Sequence, residues 1–390
     1  MDKLKVSVLY WEERKQEGTL HDEVVDEVAS ALSEGGHRTS LIGVSDDLRE
    51  LLEKLDEKRP DLVFNVCERF AENDDYEMNV VAVLEMLGQP FTGTGPAGMA
   101  LRQDKAITKK LLKFHDVRYP NFAIFDKFNI ELAGRMHFPL IVKPLRGDGS
   151  LGITDSSLVT DYTKLDERIH FIQSQLKEPA LVEEYIEGRE FYVGLLGNDP
   201  AEVLPVMELD FSRLPPGYPR IYGHEAKSET TSPQYAAVNA VVATDLAPET
   251  RARVTMAAKE AVIALKARDY ARVDIRLTPD GVPMVVEVNA NPYLERTSAF
   301  ALAALQAGLG YATLINRIVE TAWKRLEPTP FLKELQKTRA ERTRQRRQIA
   351  RASHNVESSP VKTPNEPTSE TPSSEGKPAG GPETNPSSNG

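Results

Sequence analysis

Two acidic residues lie close together in a stretch whose pattern predicts a β-hairpin. The first arm covers residues 271–277 and contains Asp274, and the second covers 282–289 and contains Glu287. The Pro-Asp-Gly sequence near the turn, at 279–281, is a strong turn signal. Because side chains alternate between the faces of a strand, a loop of two or four residues places the two carboxylates on one face. A three-residue loop places them on opposite faces.

Paired carboxylates beside an amide are suited to a divalent cation. Two carboxylates that face each other on a sheet repel, so the pair does not serve stability. Asp274, Glu287 and Asn289 offer the oxygen ligands that Mg²⁺ or Mn²⁺ prefers, and Mg²⁺ usually bridges to substrate phosphates. The alternative is a solvent-facing hairpin with scattered charges. The polar run Asn289-Ala290-Asn291-Pro292 directly after a valine-rich strand favours a site, because buried polar groups need partners.

A lysine near the end of another predicted strand precedes a glycine-rich loop. The strand covers residues 138–144 and includes Lys143, and Gly147, Gly149 and Gly152 follow it. Glycines allow backbone N–H groups to approach phosphates closely and allow a loop to close as a lid. The alternative is a plain hairpin connection. The neighbouring lysine favours the phosphate-binding lid.

Alternating strands and helices predict the scaffold for these residues. In the first part of the chain the alternation is typical of a parallel α/β sheet, and a smaller α+β lobe follows after about residue 115. The predicted elements are strands at 6–10 and 61–66, helices at 20–34 and 79–87, strands at 138–144, 180–185 and 190–196, a helix at 248–268, the hairpin at 271–289 and a helix at 298–308.

Composition excludes several broad classes. The chain has 390 residues and a formal net charge of −11, which disfavours general binding to nucleic acids or membranes, since both are negatively charged. A single cysteine, Cys67, cannot form an intrachain disulfide, and no apolar run approaches the length of a membrane span. We therefore expect a cytoplasmic protein without membrane insertion.

The C-terminal part of the chain changes in character. Residues 333–351 are strongly basic and have the pattern of a solvated helix. Residues 352–390 are rich in Pro, Ser, Thr, Gly, Glu and Asn, a composition that cannot bury enough apolar surface to offset the entropy of ordering. The predicted domains are an N-terminal α/β domain (1–95), a central lid lobe (96–195), a C-terminal lobe with the metal site (196–327), and a basic segment with a disordered tail (328–390).

Several motifs in this order resemble the ATP-grasp ligases, specifically the D-alanine–D-alanine ligase family. The resemblance covers roughly residues 60–325 and implies the ATP-grasp fold, in which two α+β lobes clamp the nucleotide behind an N-terminal parallel α/β domain. The motifs are Leu84 to Gly95, Asp104 to Lys110, Leu181 to Glu190, Tyr222 to Lys227, and Arg272-Val273-Asp274 with Glu287 to Pro292.

The resemblance also implies an activity and a role for individual residues. The activity is ATP-dependent ligation of a carboxylate to an amine through an acyl phosphate, with ATP and Mg²⁺ as cofactors, amino acids as substrates and a homodimer as the assembly. The implied roles are ATP phosphate binding by Lys105, Lys143, Lys227 and the loop at Gly149; adenine binding by the backbone at Glu183, Glu184 and Ile186; ribose binding by Glu190; metal binding by Asp274, Glu287 and Asn289; oxyanion stabilisation by Arg272; a catalytic contribution from Ser150; and substrate binding by Glu17, Tyr293 and Ser298.

The substrate half departs from the family pattern. The family's catalytic serine position falls on Gly149, Ser228 replaces a tyrosine, and Tyr293 replaces a glycine. These departures leave the substrate open: D-alanine for cell-wall peptidoglycan, or a different amino acid, hydroxy acid or dipeptide. Two other function classes fit the sequence less well. The retained metal carboxylates disfavour a non-catalytic ATP-binding protein, and a solubilising role for the basic segment is favoured over a nucleic-acid or lipid adaptor.

Overall fold

The computed structural model describes residues 3–15, 18–127, 130–133, 135–147, 149–227, 229–325, 334 and 337–346. The chain divides into two compact units, Met1–Lys333 and Glu334–Gly390. In the second unit, residues 337–346 are helical, within the stretch predicted to form a basic helix. The tail at 352–390, predicted to be disordered, lies outside the described residues.

The N-terminal sheet consists of three parallel strands with β1 in the middle. Residues Val6 to Tyr10 are all buried, because hydrophobic clusters containing helix residues cover both faces of the sheet. The first helix was predicted to begin near residue 20 but begins at Glu23, because the Asp22 side chain caps it by accepting a hydrogen bond from Val24 N at 3.0 Å. The elements are β1 (Lys5–Trp11), β2 (Glu13–Lys15), β3 (Gly18–Leu20), α1 (Glu23–Glu34), β4 (Arg38–Val44), α2 (Leu48–Lys58), β5 (Leu62–Asn65) and α3 (Glu77–Met86).

The central region combines three helices with an antiparallel five-stranded sheet. Asp104 caps the second helix by accepting hydrogen bonds from two backbone N–H groups, so that helix begins at Lys105 and presents Lys105 and Lys109 on one face. In the sheet, β10 lies between β6 and β8. The elements are α4 (Pro96–Gln103), α5 (Lys105–Phe114), β6 (Phe122–Phe125), β7 (Ile130–Ala133), β8 (Leu140–Pro144), β9 (Leu158–Val159), α6 (Tyr162–Phe171) and β10 (Ala180–Glu184).

The third sheet is antiparallel and carries the predicted hairpin at one edge. Its longest ladder joins β11 to β15, from Glu190 opposite Arg276 to Leu196 opposite Tyr270. The predicted domain boundary at residue 195 assigns β11 to the central lobe, whereas its pairing places it in this sheet. The elements are β11 (Glu190–Leu196), β12 (Glu202–Val203), β13 (Met207–Asp210), α7 (His224–Lys227), α8 (Pro233–Ala237), β14 (Asn239–Val242), α9 (Pro248–Ala264), β15 (Tyr270–Leu277), β16 (Pro283–Asn289), α10 (Ala299–Gln306) and α11 (Tyr311–Arg325).

A buried carboxylate joins distant parts of the first unit. Asp269 is fully buried and accepts hydrogen bonds from Gly93 N at 2.8 Å, Asn198 Nδ2 at 3.0 Å and the Arg325 guanidinium at 2.8 and 2.9 Å. Its φ of 69° is in the left-handed region, which asparagine tolerates better than most residues. Asp269 therefore holds the chain after β5 and helix α11 next to the first residue of β15.

We expect Asp269→Asn to lower the free energy of unfolding by about 2 kcal/mol, because the Arg325 guanidinium loses its charged partner. The substitution keeps the size of the side chain and its backbone preference, so the loss reports the charge together with the hydrogen bonds that the amide NH2 group cannot accept. Urea unfolding is the measurement, with the exposed Asp166→Asn on α6 as the control. Equal stability of the two variants would contradict the proposed contribution of the buried ion pair.

Candidate active site

In the hairpin of β15 and β16, the two carboxylates predicted to bind the metal lie opposite each other because of a β-bulge, not because of an even loop length. The strands are joined by a five-residue connection between Leu277 and Pro283, and without any irregularity this register would place Val286 opposite Asp274. A β-bulge shifts the register by one residue, so that Glu287 lies directly opposite Asp274. The bulge therefore compensates for the odd number of residues in the connection and brings both carboxylates to the same face of the sheet.

Asp274 is held by two polar neighbours. It is buried, and its carboxylate accepts hydrogen bonds from Arg272 at 2.7 and 3.0 Å and from Asn289 Nδ2 at 3.2 Å. Burial raises the pKa of Asp274 and the Glu287 charge adds to this, while the Arg272 guanidinium opposes both. The Lys105 Nζ lies 4.0 Å from a carboxylate oxygen of Glu287. The arrangement places oxygen donors and fixed cations side by side.

Two buried lysines share one buried glutamate next to this hairpin. The Glu183 carboxylate lies 2.8 Å from Lys109 Nζ and 2.9 Å from Lys143 Nζ, and all three side chains are buried. Burial by itself raises the pKa of Glu183, but the two ammonium groups lower it to about 2. Burial lowers the pKa of Lys109, whereas for Lys143 the charges of Glu183 and Glu287 outweigh burial and raise its pKa.

Lys227 contributes a further cation to this site. Burial lowers the pKa of this lysine, and the nearby Arg272 lowers it further. Its Nζ lies 5.3 Å from the ring centre of Tyr222, and it forms no ion pair within the part of the chain that the structure describes. A half-buried ammonium without a carboxylate partner is an electrostatic site for an anion.

Most of these groups line one cleft of about 90 Å³ between the central sheet and the third sheet, and Arg272, Asn289 and Lys109 are absent from its described walls. Its apolar walls include Ile141, Ile153 and Val286, which suit a flat aromatic group. The cleft collects ten of the residues predicted from the sequence, namely Lys105, Lys143, Ser150, Glu183, Glu184, Ile186, Glu190, Lys227, Asp274 and Glu287.

The glycine-rich loop borders this cleft. Gly147, Gly149 and Gly152 all have positive φ, and so does Ser150 at 64°. Lys105 Nζ donates a hydrogen bond to the Gly147 carbonyl, and Ser150 Oγ donates to the Tyr222 carbonyl at 3.1 Å. The loop therefore contacts both the lysine on α5 and the segment that precedes Lys227.

Predicted nucleotide-binding groups already have protein partners. The Glu190 carboxylate accepts a hydrogen bond from Arg276 Nε at 2.8 Å, and Arg276 Nη1 donates to the Ile186 carbonyl at 2.9 Å. The Glu184 carboxylate accepts from Asn121 Nδ2 and from His137 N, both at 3.0 Å. Arg276 thus fixes the position of Glu190, the residue predicted to bind the ribose.

A second, larger cavity of about 400 Å³ lies at the N-terminal domain. Tyr293, predicted to bind substrate, lines it and donates a hydrogen bond from its hydroxyl to Asp22 at 2.7 Å. Burial and Asp22 both raise the pKa of Tyr293. Ser298 is the N-cap of α10 and accepts a hydrogen bond from Ala301 N at 3.3 Å, and it is absent from the described walls of both cavities. Glu17 lies outside the described residues.

One face of β15 connects the two cavities. Tyr270 lines the larger cavity, Asp274 lines the cleft, and Arg272 lies between them on the same face, because side chains alternate along a strand. Arg272 also stacks on the Tyr192 ring at 4.4 Å. A fixed guanidinium therefore lies between a carboxylate-rich cleft and an aromatic cavity.

Comparison with known proteins identifies the family to which this chain belongs. The family model described as the D-ala D-ala ligase C-terminus matches residues 111–320. The chain belongs to the D-alanine–D-alanine ligase family. It is an ATP-grasp ligase, an enzyme that forms carbon–nitrogen bonds.

Individual relatives agree with this family. The uncharacterized protein y4sG of Sinorhizobium fredii is 37% identical over 311 residues, which are 77% of this chain and 88% of that protein. A D-alanine–D-alanine ligase of Cupriavidus pinatubonensis is 32% identical over 254 residues, covering 64% of this chain and 73% of that protein.

Solved structures confirm the predicted ATP-grasp fold. The D-alanine–D-alanine ligase from Bacillus anthracis complexed with ATP superposes with a TM-score of 0.62 at 23% identity, covering 82% of this chain and 98% of that one. The VanG D-Ala:D-Ser ligase from Enterococcus faecalis gives a TM-score of 0.61 at 21% identity, covering 82% and 99%. In the described part of this ligase, no single helix is long and apolar enough to cross a membrane, although the bent pair α10 and α11 passes on length and composition.

Sequence reasoning gave no role to two charged residues of the ligase site, Lys109 and Arg276. Lys109 lies four residues after Lys105 on α5, which is the spacing of one helix face. Arg276 shares its strand face with Arg272 and Asp274. Both spacings are visible in the sequence, but the acidic partners, Glu183 and Glu190, come from other strands.

Proposed function

We propose that this ligase activates a carboxylate as an acyl phosphate at the expense of ATP and joins it to an amine, releasing ADP and phosphate. The face of β15 carries this proposal, because it aligns the aromatic cavity, Arg272 and the paired carboxylates in that order. From Tyr270 to Asp274 the distance along the strand is about 13 Å. A substrate carboxylate next to Arg272 would therefore lie between the substrate cavity and the nucleotide cleft.

The donor set fits Mg²⁺ and a nucleotide. Within the described part of the chain, no cluster of three or more His, Cys, Asp and Glu residues could hold a metal. The predicted ligands combine two carboxylates with an amide instead: Asp274, Glu287 and the side-chain oxygen of Asn289 are hard oxygen donors of the kind that Mg²⁺ and Mn²⁺ prefer. When bound, ATP and the metal supply the phosphoryl group and neutralise its negative charge.

The chain's own residues supply position and charge. Phosphoryl transfer requires mainly positioning and cations where negative charge accumulates. Lys105, Lys143 and Lys227 surround the cleft and would hold the phosphates, with the backbone of the loop at Gly149 and Ser150 above them. These roles place three cations of the chain around the phosphate-binding part of the cleft.

The remaining predicted residues would hold the base, the sugar and the substrates. The backbone from Glu183 to Ile186 would bind the adenine edge, and Glu190 would bind the ribose. Arg272 would stabilise the oxyanion that forms when the amine attacks. Glu17 would bind the substrate ammonium group, and Ser298 a substrate carboxylate. Tyr293 narrows one side of the substrate cavity, where the family pattern has a glycine.

The proposed substrates are amino acids, with D-alanine for peptidoglycan synthesis as one choice among them. We expect ADP release from MgATP to rise when a suitable carboxylate and amine are both supplied. A coupled assay with D- and L-amino acids, alone and in pairs, is the measurement. Omission of Mg²⁺ serves as the control and should abolish the stimulated rate. If no pair of substrates stimulates ADP release, the ligase reaction is contradicted.

A further inference from the structure

The larger cavity is built for an apolar group. Its floor contains side chains that are almost completely buried, and aromatic rings form much of its wall. Pockets of this composition bind ligands by apolar contact and use a few polar groups for orientation. The apolar and aromatic residues that line it are Tyr10, Trp11, Leu20, Val24, Val25, Val66, Tyr270, Pro292, Tyr293 and Leu294.

Acidic groups at this cavity already have protein partners. Asp22 Oδ1 accepts hydrogen bonds from Val24 N at 3.0 Å and Tyr293 Oη at 2.7 Å. The Glu13 carboxylate forms an ion pair with Lys15 at 3.2 Å. These two carboxylates are therefore committed within the protein.

The basic groups are committed as well. Arg69 pairs with Asp74 at 2.8 Å and stacks on the Trp11 ring at 5.0 Å. His21 lies 3.1 Å from Asp26. Glu68 and Asn291 also line the cavity, so polar groups lie beside its ten apolar and aromatic residues, and this apolar majority favours an apolar side chain over a charged one.

The cavity is also large for alanine. At about 400 Å³ it lies within the range typical of pockets for drug-sized ligands. Tyr270, two residues from Arg272 on the same strand face, lines this cavity. An amino acid whose carboxylate lies at Arg272 can extend its side chain toward Tyr270. The amine substrate of the proposed reaction shares this cavity, and with a methyl group on each substrate part of the apolar wall would remain without contact.

We propose that the amino acid in this cavity has an apolar side chain of leucine size or larger, with phenylalanine as the representative aromatic case. This inference rests on the proposed ligase function and specifies its substrate class. Burial of the larger side chain against the apolar wall should raise kcat/KM by about ten- to a hundredfold over alanine.

The test is ADP release by the full chain with MgATP and alanine, serine, leucine, phenylalanine, lysine or glutamate. Each amino acid is supplied as both enantiomers, alone and paired with alanine. A kcat/KM for leucine or phenylalanine about tenfold above that for alanine supports the inference. A preference for alanine or serine, or for a charged amino acid, overturns the inference and leaves the ligase function intact. If none of these amino acids, alone or paired, stimulates ADP release, the proposed function itself is contradicted, and with it this inference.

A variant that fills the cavity tests its location. Val66 is half-buried and lines the cavity, so Val66→Phe should lower kcat/KM for leucine and phenylalanine by about tenfold more than it lowers kcat/KM for alanine. The matched control is Val83→Phe on α3, a half-buried valine outside both cavities. An equal loss for alanine and phenylalanine, or no loss for either, overturns the assignment, and the wild-type panel tests the inference independently of this variant.

Discussion

Glu287→Gln is expected to lower the rate of substrate-stimulated ADP release by about a thousandfold. The substitution preserves the shape of the side chain and removes one of the two carboxylates that face each other across β15 and β16. A hard divalent cation then loses a charged ligand, while Asp274 and Asn289 keep their places. Coupled detection of ADP over a Mg²⁺ titration is the measurement, and the residual activity should require a higher Mg²⁺ concentration.

Stability separates this effect from unfolding. Glu287 repels Asp274 when no cation lies between them, but it also lies 4.0 Å from Lys105, so Glu287→Gln should leave the unfolding temperature of the metal-free protein close to that of the wild type. The control is Glu202→Gln, a strand glutamate of the same sheet that pairs with Arg317 at 3.1 Å outside both cavities. Activity close to that of the wild type in Glu287→Gln would remove this residue from the proposed metal ligands.

Only part of the hairpin's geometry can be predicted from the sequence. Alternation along β15 predicts correctly that Arg272, Asp274 and Arg276 share a face, because the side-chain period of a strand is fixed. The relation of that face to β16 was less accessible. Which face of β16 meets that face depends on the β-bulge in β16. This strand contains no glycine, the residue type that often marks a bulge in a sequence.

Partners that come from different strands were harder to predict than the elements themselves. The sequence gives the strand Glu190–Leu196 with correct bounds, since it is a nearly continuous apolar run. Its place in the third sheet follows from pairing with β15, which lies about eighty residues later in the chain. The ion pair of Glu190 with Arg276 depends on the same long-range pairing, so local periodicity could not reveal it.

The second large effect arises at Glu183, where the ammonium groups of Lys109 and Lys143 outweigh burial and lower the pKa of the carboxyl group. Its folded pKa of about 2 lies below the ordinary value of 4.5. For a group whose pKa is lowered by folding, the stabilisation is fully present above the unfolded pKa and is lost as the pH falls through the folded pKa. The difference corresponds to about 3 kcal/mol at neutral pH, and it should disappear between about pH 4.5 and pH 2.

Glu183→Gln is therefore expected to lower the free energy of unfolding by about 3 kcal/mol at pH 7, with a smaller difference from the wild type at pH 3. The amide leaves Lys109 and Lys143 buried without their shared carboxylate. Urea unfolding at both pH values is the measurement. Glu184→Gln is the matched control on the same strand, because its carboxylate is half-buried and accepts only hydrogen bonds from Asn121 and His137.

Lys109, Glu183 and Lys143 form a buried charged triad, and its net charge can serve the binding of ATP in a ligase. With both lysines protonated, two ammonium groups and one carboxylate leave one net positive charge beside the nucleotide cleft, and Glu183 fixes Lys143 in position before any phosphate binds. Glu183→Gln should therefore also raise the KM for ATP, whereas Glu184→Gln should not. A pH-independent loss of stability in Glu183→Gln would contradict the ionised triad, and an unchanged KM for ATP would limit its role to folding.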